Sequence, residues 1–217
     1  MARPVYRVNE CFWSPQGEGM RAGEMSLFLR FTGCNLRCAK EEGPKSIGGF
    51  DCDTEFESGR SMTAEEVVAW CRETLAAGMG GEELPEDHRP WIVLIGGEPA
   101  LQVDAALCDA LHAAGFRLAI ETNGSISLDG LPLDWITVSP KVAEHAVRQR
   151  VADEVKYVRG HGQAIPRPAC EARHKLISPA FDGLATDPRA VAWCFELIKR
   201  HPDWRLSPQH HKLWGVR

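Results

Sequence analysis

Hydrophobic positions in this chain follow two alternating spacings from about residue 24 onward. Short apolar runs such as Trp91–Ile95 are followed by segments in which apolar residues recur every three to four positions. The runs predict strands covered on both faces, and the spaced segments predict helices. Their order predicts strands that feed helices and return in parallel. We therefore expect an α/β fold, an incomplete TIM-type barrel of mostly parallel strands.

The predicted strands share this apolar character and are bounded by turn residues. They are Met25–Phe31, Trp91–Ile95, Arg117–Glu121, Trp135–Val138, Glu154–Val158 and Lys175–Ser178, with an outer strand at Tyr6–Trp13.

Three predicted helices have recognisable ends. The first begins with a capping box formed by Thr63 and Glu66. The second follows Asp104 and stops at Gly115, and the third begins at Asp187. Four residues of the third helix are expected to face inward, namely Val191, Cys194, Phe195 and Ile198.

The length and charge of the chain limit its class. At 217 residues we expect one domain spanning residues 1–217. With a net charge of −5, the chain lacks the excess of positive charge that favours binding to nucleic acid or to an anionic membrane. No window approaches the ~18 consecutive apolar residues of a membrane span, and Met1–Glu10 lacks the apolar core of a signal peptide. We expect a cytoplasmic protein that acts on small molecules.

The chain has eight cysteines, which in a reducing compartment are expected to bind metal or to be buried. Cys71, Cys108 and Cys194 lie in helical apolar stripes, so we expect them to be buried. We expect the same structural role for Cys11 and Cys170.

The other three cysteines, Cys34, Cys38 and Cys52, follow the strand Met25–Phe31 with the spacing Cys-x3-Cys-x13-Cys. An iron–sulfur cubane held by three thiolates leaves one iron open to a small molecule. A zinc site with a distant fourth ligand, such as a histidine, would also fit. Spacing alone therefore leaves both metals open.

A second motif, Ile95-Gly96-Gly97-Glu98-Pro99, ends the strand that begins at Trp91. Its glycines let a ligand approach the backbone closely. Together with the cysteines, it resembles the motifs of radical S-adenosylmethionine enzymes. That resemblance implies that Cys34, Cys38 and Cys52 bind a 4Fe-4S cluster whose open iron chelates S-adenosylmethionine.

Within that superfamily the chain is similar to the 7-carboxy-7-deazaguanine synthases. The resemblance spans nearly the whole chain and is carried by Ser14–Gly19, Phe28–Leu36, Cys52–Thr54, Gly96–Pro99, Glu121–Gly124, Thr137–Lys141 and Trp204–Ser207 followed by Gln209, His211 and Lys212. It implies a homodimer that uses a flavodoxin- or ferredoxin-type reductant. It also implies ring contraction of 6-carboxy-5,6,7,8-tetrahydropterin with loss of ammonia, a step toward queuosine and related 7-deazapurines.

The resemblance also implies roles for individual residues. Thr54 would bind Mg²⁺, which prefers oxygen ligands. Substrate would contact Pro15, Gln16, Gly17, Glu18, Arg30, Ile95 and His211. S-adenosylmethionine would contact Gly97, Glu121, Ser139, Pro140 and Lys141, with Ser178, Pro179 and Asp182 as further candidates. Arg30 interrupts an apolar run, and its planar fork suits a carboxylate.

The chain departs from the family pattern in two places. Thirteen residues, 39–51, separate the second and third cysteines where most members have two, so the cluster loop at 33–60 contains an insertion. Relatives with the long gap after the first cysteine would need a cysteine at Gly49, which leaves Cys38 as the second ligand. Ile95 stands where a threonine is common.

Two other functions remain open. Glycyl-radical activating enzymes share the Phe-x-Gly-Cys frame and the three cysteines, but they do not predict Gln16–Gly19 or Cys52–Thr54. A zinc-binding structural module would have no sulfide and no brown chromophore.

Overall fold

The computed structural model describes residues 4–39, 41, 51–52, 54–182 and 185–216, and among these it does not describe the side chains of Asp182 and Ala185. Most of the predicted insertion at 39–51, including Gly49, therefore lies outside the described residues, as does Asp53. The predicted cofactor contact of the Asp182 side chain also lies outside them.

The described residues form eleven strands, which we number along the chain. They are β1 (Tyr6–Pro15), β2 (Met25–Phe31), β3 (Arg60–Met62), β4 (Trp91–Gly96), β5 (Arg117–Thr122), β6 (Trp135–Val138), β7 (Val151–Arg159), β8 (Glu171–Pro179), β9 (Phe181–Asp182), β10 (Ala185–Thr186) and β11 (Trp204–Leu206).

Nine of these strands form one open, mostly parallel sheet in the order β11-β8-β7-β6-β5-β4-β2-β1-β3. The strands from β11 to β2 pair in parallel, whereas β1 pairs antiparallel with both β2 and β3. The predicted incomplete barrel of mostly parallel strands is confirmed. Because parallel strands end at the same edge, the loops after β2, β4, β5, β6, β8 and β11 lie at one carboxyl edge.

Four α-helices accompany the sheet in the described part of the chain: α1 (Ala64–Gly78), α2 (Ala105–Ala113), α3 (Pro188–Arg200) and α4 (His210–Trp214). The predicted capping box of Thr63 and Glu66 begins α1, and the side chains of Asp104 and Asp187 cap α2 and α3. Within the described residues, the structure has no helix that is both long enough and apolar enough to cross a bilayer.

The two faces of the sheet differ in chemistry. The outer face packs Leu29, Leu94 and Ile120 against Cys71 of α1 and Cys108 of α2, all of them fully buried. Burying one such aliphatic side chain contributes about 1.5–3 kcal/mol. The inner face has a small apolar cluster near the start of the strands, formed by Phe28, Trp91, Val93 and Ala119. Further along the strands this face carries charged groups, which form the candidate site.

The sequence predicts no helix with recognisable ends between β5 and β8, and the structure has no α-helix there. Residues 123–134 and 160–170 contain no α-helix, and residues 139–150 contain only a short 3-10 turn at Glu144–Ala146. Gly124, Gly130 and Pro132 interrupt the first connection, because they favour turns over a helix. Strands β7 and β8 are also longer at both ends than predicted.

The prediction was wrong for one of the four residues of α3 that were expected to face inward. Phe195 is 45% exposed, whereas Ala190, Cys194 and Leu197 are buried. The helix is therefore turned so that small and aliphatic residues pack against the sheet. The expectations for Cys71, Cys108, Cys170 and Cys194 are confirmed, since all four are buried, while Cys11 is half-buried.

Candidate active site

The loop that carries the three cysteines leaves the carboxyl end of β2. The Cys52 backbone N–H donates to the Cys38 carbonyl (3.2 Å), and the Gly33 N–H donates to the Phe56 carbonyl (2.8 Å). These bonds close the loop on itself and bring the later cysteine back to the earlier pair. The loop therefore keeps Cys52 beside Cys38 despite the thirteen residues between them.

The thiols of this loop affect one another's ionisation. Burial raises the pKa of Cys34 and of Cys38, and the charge of Cys52 raises both further. The nearby ammonium of Lys141 has the opposite effect and lowers the pKa of Cys38. Three thiolates gathered in this way need a cation to offset their repulsion, and a metal-bound thiol is deprotonated outright.

The donor set fits an iron–sulfur cluster. Cysteine thiolates are the usual ligands of its irons, and a set of three leaves one iron open to a small molecule. Cys34, Cys38 and Cys52 lie on one loop at the carboxyl edge of the sheet, with Cys52 held beside Cys38.

Gly97 provides the closest of those approaches. A Cβ at Gly97 would lie 2.8 Å from the Cys34 Cβ and 2.7 Å from the Gly33 carbonyl carbon, and closer still to the carbonyl oxygen. The Glu98 N–H donates to this same Gly33 carbonyl (2.9 Å). The glycine motif after β4 and the cysteine loop after β2 are therefore in direct contact, and only glycine fits there.

Glu98 organises three loops from a fully buried position. Its carboxylate accepts from the Thr122 hydroxyl and the Asn123 N–H, both at 2.7 Å, and from the Ala100 N–H at 3.0 Å. Burial raises its pKa in spite of these bonds. Asn123 in turn donates to Asn35 of the cysteine loop (3.1 Å). Sequence reasoning quoted Glu98 and Asn123 in motifs but gave them no role.

Five of the predicted cofactor residues lie at the carboxyl ends of β6 and β8, namely Ser139, Pro140, Lys141, Ser178 and Pro179. The Lys141 ammonium donates to the Ser139 hydroxyl (2.6 Å), and burial with the charge of Lys156 lowers the Lys141 pKa to about 8. Pro140 and Pro179 are buried. The Ser178 hydroxyl is buried and has no hydrogen-bond partner among the described residues. An orphaned buried hydroxyl fits a site completed by a bound ligand.

The predicted substrate loop begins after Pro15, at the end of β1, and lies across the inner face of the sheet. Gln16 donates to the Glu121 carboxylate on β5 (3.0 Å), and the Met20 N–H donates to Glu154 on β7 (2.8 Å). The Glu18 carboxylate pairs with the ammonium of Lys156 on β7. Strands from the middle of the sheet therefore fix the loop.

The C-terminal segment holds the same loop from its other side. The Ser207 hydroxyl accepts from the Gly19 N–H (2.8 Å), and Gln209 donates to Glu18 (2.9 Å). His211 packs so tightly against Gly17 that a Cβ there would lie 2.6 Å from the His211 Cβ. The structure thus brings together His211 and the loop at 16–18, which the resemblance had placed around one substrate.

Arg30 lies on the inner face at the end of β2, directly across from Ile95 in the register of β2 and β4. Its Nε donates to the Glu10 carboxylate of β1 (2.7 Å). That bond occupies the Nε side of the guanidinium. The two terminal nitrogens can still bind a carboxylate end-on with two parallel hydrogen bonds. Thr54 is half-buried in the cysteine loop, with its carbonyl 3.9 Å from the Cys52 Sγ.

Sequence reasoning missed Lys156, Glu154 and Ser207. The first two lie on β7, where they alternate with the buried residues Val155 and Tyr157 of the opposite face. A charged residue inside an apolar strand was the signal, because such a side chain is rarely buried without a partner. The same signal had drawn attention to Arg30.

Known proteins resemble this chain over nearly its whole length. No family model matches the chain. The chain is 41% identical over 230 residues to the 7-carboxy-7-deazaguanine synthase of Bradyrhizobium diazoefficiens, covering 98% of this chain and 99% of that one. The synthase of Burkholderia multivorans is 39% identical over 223 residues, with the same coverage. The crystal structure of QueE from Escherichia coli matches with a TM-score of 0.64 at 25% identity, covering 95% of each chain.

A parallel open barrel with a three-cysteine loop and a glycine motif at its carboxyl edge defines a radical S-adenosylmethionine enzyme. The relatives identify one family within that class. The chain belongs to the 7-carboxy-7-deazaguanine synthase family. Family membership decides against the glycyl-radical activating enzyme and the zinc module that the sequence had left open.

Proposed function

We propose that this chain converts 6-carboxy-5,6,7,8-tetrahydropterin to 7-carboxy-7-deazaguanine, the product in the name of its relatives, with loss of ammonia. The observation that carries the proposal is the substrate loop, Gln16–Gly19, which β5, β7 and the C-terminal segment all hold over the inner face. A glycyl-radical activating enzyme acts on a protein and has no need of such an enclosed polar loop.

The family uses a 4Fe-4S cluster, S-adenosylmethionine and Mg²⁺. We propose that Cys34, Cys38 and Cys52 hold the cluster, and that Gly97 leaves backbone groups accessible for the cofactor. Further proposed cofactor contacts are Glu121, Ser139, Pro140, Lys141, Ser178 and Pro179. When bound, the cluster and S-adenosylmethionine supply a 5′-deoxyadenosyl radical that abstracts hydrogen from the substrate.

The protein's own side chains would select and orient the pterin. The Glu18 carboxylate can accept from the amino and ring N–H groups of a pterin, and Gln16 and Gly17 lie beside it. Arg30, with its Nε held by Glu10, would bind the substrate carboxylate, and Ile95 lies opposite as an apolar wall. His211 would close the pocket over Gly17. Held in this way, the substrate cannot turn before rearrangement ends.

Thr54→Ala tests the proposed magnesium ligand. We expect turnover to fall about 10-fold, since loss of one oxygen near a metal typically weakens its binding by that amount or more. Cleavage of S-adenosylmethionine should persist, because the three cysteines are unchanged. Turnover titrated with Mg²⁺ would show a higher half-saturating concentration in the variant. An unchanged Mg²⁺ dependence would remove Thr54 from the metal site.

The function itself is tested by one anaerobic incubation. Reconstituted protein, the carboxylated pterin, S-adenosylmethionine and a strong reductant should give a product lighter than the substrate by one ammonia, detected by mass spectrometry. Omitting S-adenosylmethionine is the control and should give no product. A protein with an intact cluster that leaves the pterin unchanged would refute the proposal.

We further propose the setting in which this reaction runs. A homodimer in the cytoplasm, reduced by a flavodoxin- or ferredoxin-type protein, is in keeping with the family. Size measurement by light scattering tests the dimer directly.

A further inference from the structure

Lys156 is a buried cation in the middle of the candidate site. It lies on β7 with 5% of its surface exposed, and its side chain points to the inner face of the sheet, toward the substrate loop. The Lys156 ammonium pairs with the Glu18 carboxylate and lies 3.3 Å from the Glu121 carboxylate of β5. One ammonium therefore joins the substrate loop to β5, which lies two strands away from β7 in the sheet.

Lys156 also determines the charge of Glu18. Burial favours the protonated carboxyl of Glu18, but the charge of Lys156, its hydrogen bond and a further bond from Gln209 lower the pKa to about 2. Burial likewise opposes the ammonium of Lys156, yet Glu121 and Glu18 raise its pKa. Each group thus keeps the other ionised, and removing one partner would leave an uncompensated buried charge.

Other charged groups face this pair from the surrounding elements. Glu154 of β7 contributes negative charge, but its carboxylate already accepts from the Met20 N–H and the Thr137 hydroxyl. Lys141, after β6, lies close enough for Lys156 to lower its pKa. His211 of α4 faces Glu18, and burial lowers the pKa of its imidazole. Lys156 is the group that contacts both Glu18 and Glu121.

We infer that Lys156 is a positioning residue for substrate selection, an inference that rests on the proposed function. Lys156 acts by holding the Glu18 carboxylate ionised and in place for the 2-amino-4-oxopyrimidine edge of the pterin. That edge presents two neighbouring donors, the 2-amino group and the ring N3–H. An ionised carboxylate accepts from both donors, whereas a protonated carboxyl can accept less well and adds a competing donor.

The inference has a consequence for selectivity. A 2-oxo analogue of the substrate, the corresponding lumazine, places a carbonyl oxygen where the pterin has its amino group. That oxygen would face the Glu18 carboxylate without a hydrogen between them, so the site should reject it. A site built to pair a substrate N–H typically discriminates by 10⁴–10⁵ against analogues that lack it. Lys156 maintains this discrimination because it maintains the charge of Glu18.

Lys156→Met tests the inference in the reconstituted enzyme. We expect KM for the pterin to rise about 10-fold or more, with a smaller change in kcat, and discrimination against the 2-oxo analogue to fall. KM should also become pH-dependent. Without Lys156, burial raises the Glu18 pKa, so binding should strengthen as the pH rises through that raised value. The unaltered enzyme should show no Glu18 titration in that range, because its Glu18 is already ionised.

A double-mutant cycle separates this role from simple loss of packing. If Lys156 acts through Glu18, adding Lys156→Met to Glu18→Gln should change KM little further, and the pH dependence specific to Lys156→Met should disappear. Lys175→Met is the matched control, since Lys175 pairs with Asp203 at the surface, and should leave KM unchanged. Lys156→Gln removes the charge but keeps a donor, and provides the same comparison if the methionine variant does not fold.

Two results would overturn the inference. One is a pH-independent KM in Lys156→Met that equals that of the unaltered enzyme. The other is a full additional loss in the double variant. Failure of the proposed function gives a different pattern, because the unaltered enzyme would then leave the pterin unchanged while still cleaving S-adenosylmethionine.

Discussion

Cys38→Ala should abolish turnover, and the purified, anaerobically reconstituted variant should lack a normal 4Fe-4S cluster. With one of three protein ligands removed, two thiolates cannot hold the cubane, and the open iron that chelates S-adenosylmethionine is lost with it. We expect the rate to fall by at least about 10³-fold. Iron and sulfide content per chain, together with the electron paramagnetic resonance spectrum after reduction, measure the cluster directly.

Cys108→Ala is the matched control for that prediction. Cys108 is fully buried in α2 and contacts the outer face of the sheet, so its loss should cost roughly 1 kcal/mol of stability and leave the cluster intact. A normal cluster in the Cys38 variant would show that the second ligand lies elsewhere in the loop. The spacing of thirteen residues before Cys52 makes this an informative test.

Gly97→Ala should have the second largest effect. The new methyl group would lie 2.7 Å from the Gly33 carbonyl carbon and 2.8 Å from the Cys34 Cβ, distances that real side chains do not adopt. The cysteine loop must then move away from the end of β4. Because a shift of about 1 Å at a reacting centre can lower a rate 10²-fold, we expect turnover to fall by about that factor. The affinity for S-adenosylmethionine, measured with the reconstituted cluster, should fall as well.

Gly160→Ala controls for the added methyl group. A Cβ at Gly160 meets nothing closer than 4.0 Å, so this variant should retain activity and cofactor affinity. If Gly97→Ala bound S-adenosylmethionine as tightly as the unaltered enzyme, the close approach of the two loops would have no part in cofactor binding.

Much of the sheet could be predicted from local sequence. Trp135–Val138 was predicted with its observed bounds, and Trp91–Ile95 and Arg117–Glu121 each fell one residue short. Short apolar runs between turn residues define buried strands well. The connections between β5 and β8 have no predicted helix, in agreement with the structure, because residues such as Gly124 and Pro132 favour turns.

Longer-range features were beyond local pattern. The rotation of α3 depends on which residues the sheet accommodates, so Phe195 was expected inside and is exposed. The three-residue strand β11 and the five-residue helix α4 are too short for a periodic signal, and β11 is stabilised by pairing with β8.

The candidate site likewise has residues that local sequence predicts and residues that it does not. Its cysteines and glycines were found from spacing and motif, since these residues act close to their neighbours in sequence. The pairing of Lys156 with Glu18 spans 138 positions, and no local rule indicates which buried lysine meets which carboxylate. Buried charges inside apolar strands, as at Lys156, are the practical signal for such partners.

The bond between Gly19 and Ser207 joins residues 188 positions apart, and Gln209 reaches Glu18 across 191. Ribosomes synthesise the cysteine loop well before Ser207 and Gln209. A nascent chain that stops short of Ser207 lacks both contacts, so its substrate loop would be held by the strands alone. Closure of the loop from its second side should therefore be a late event in co-translational folding.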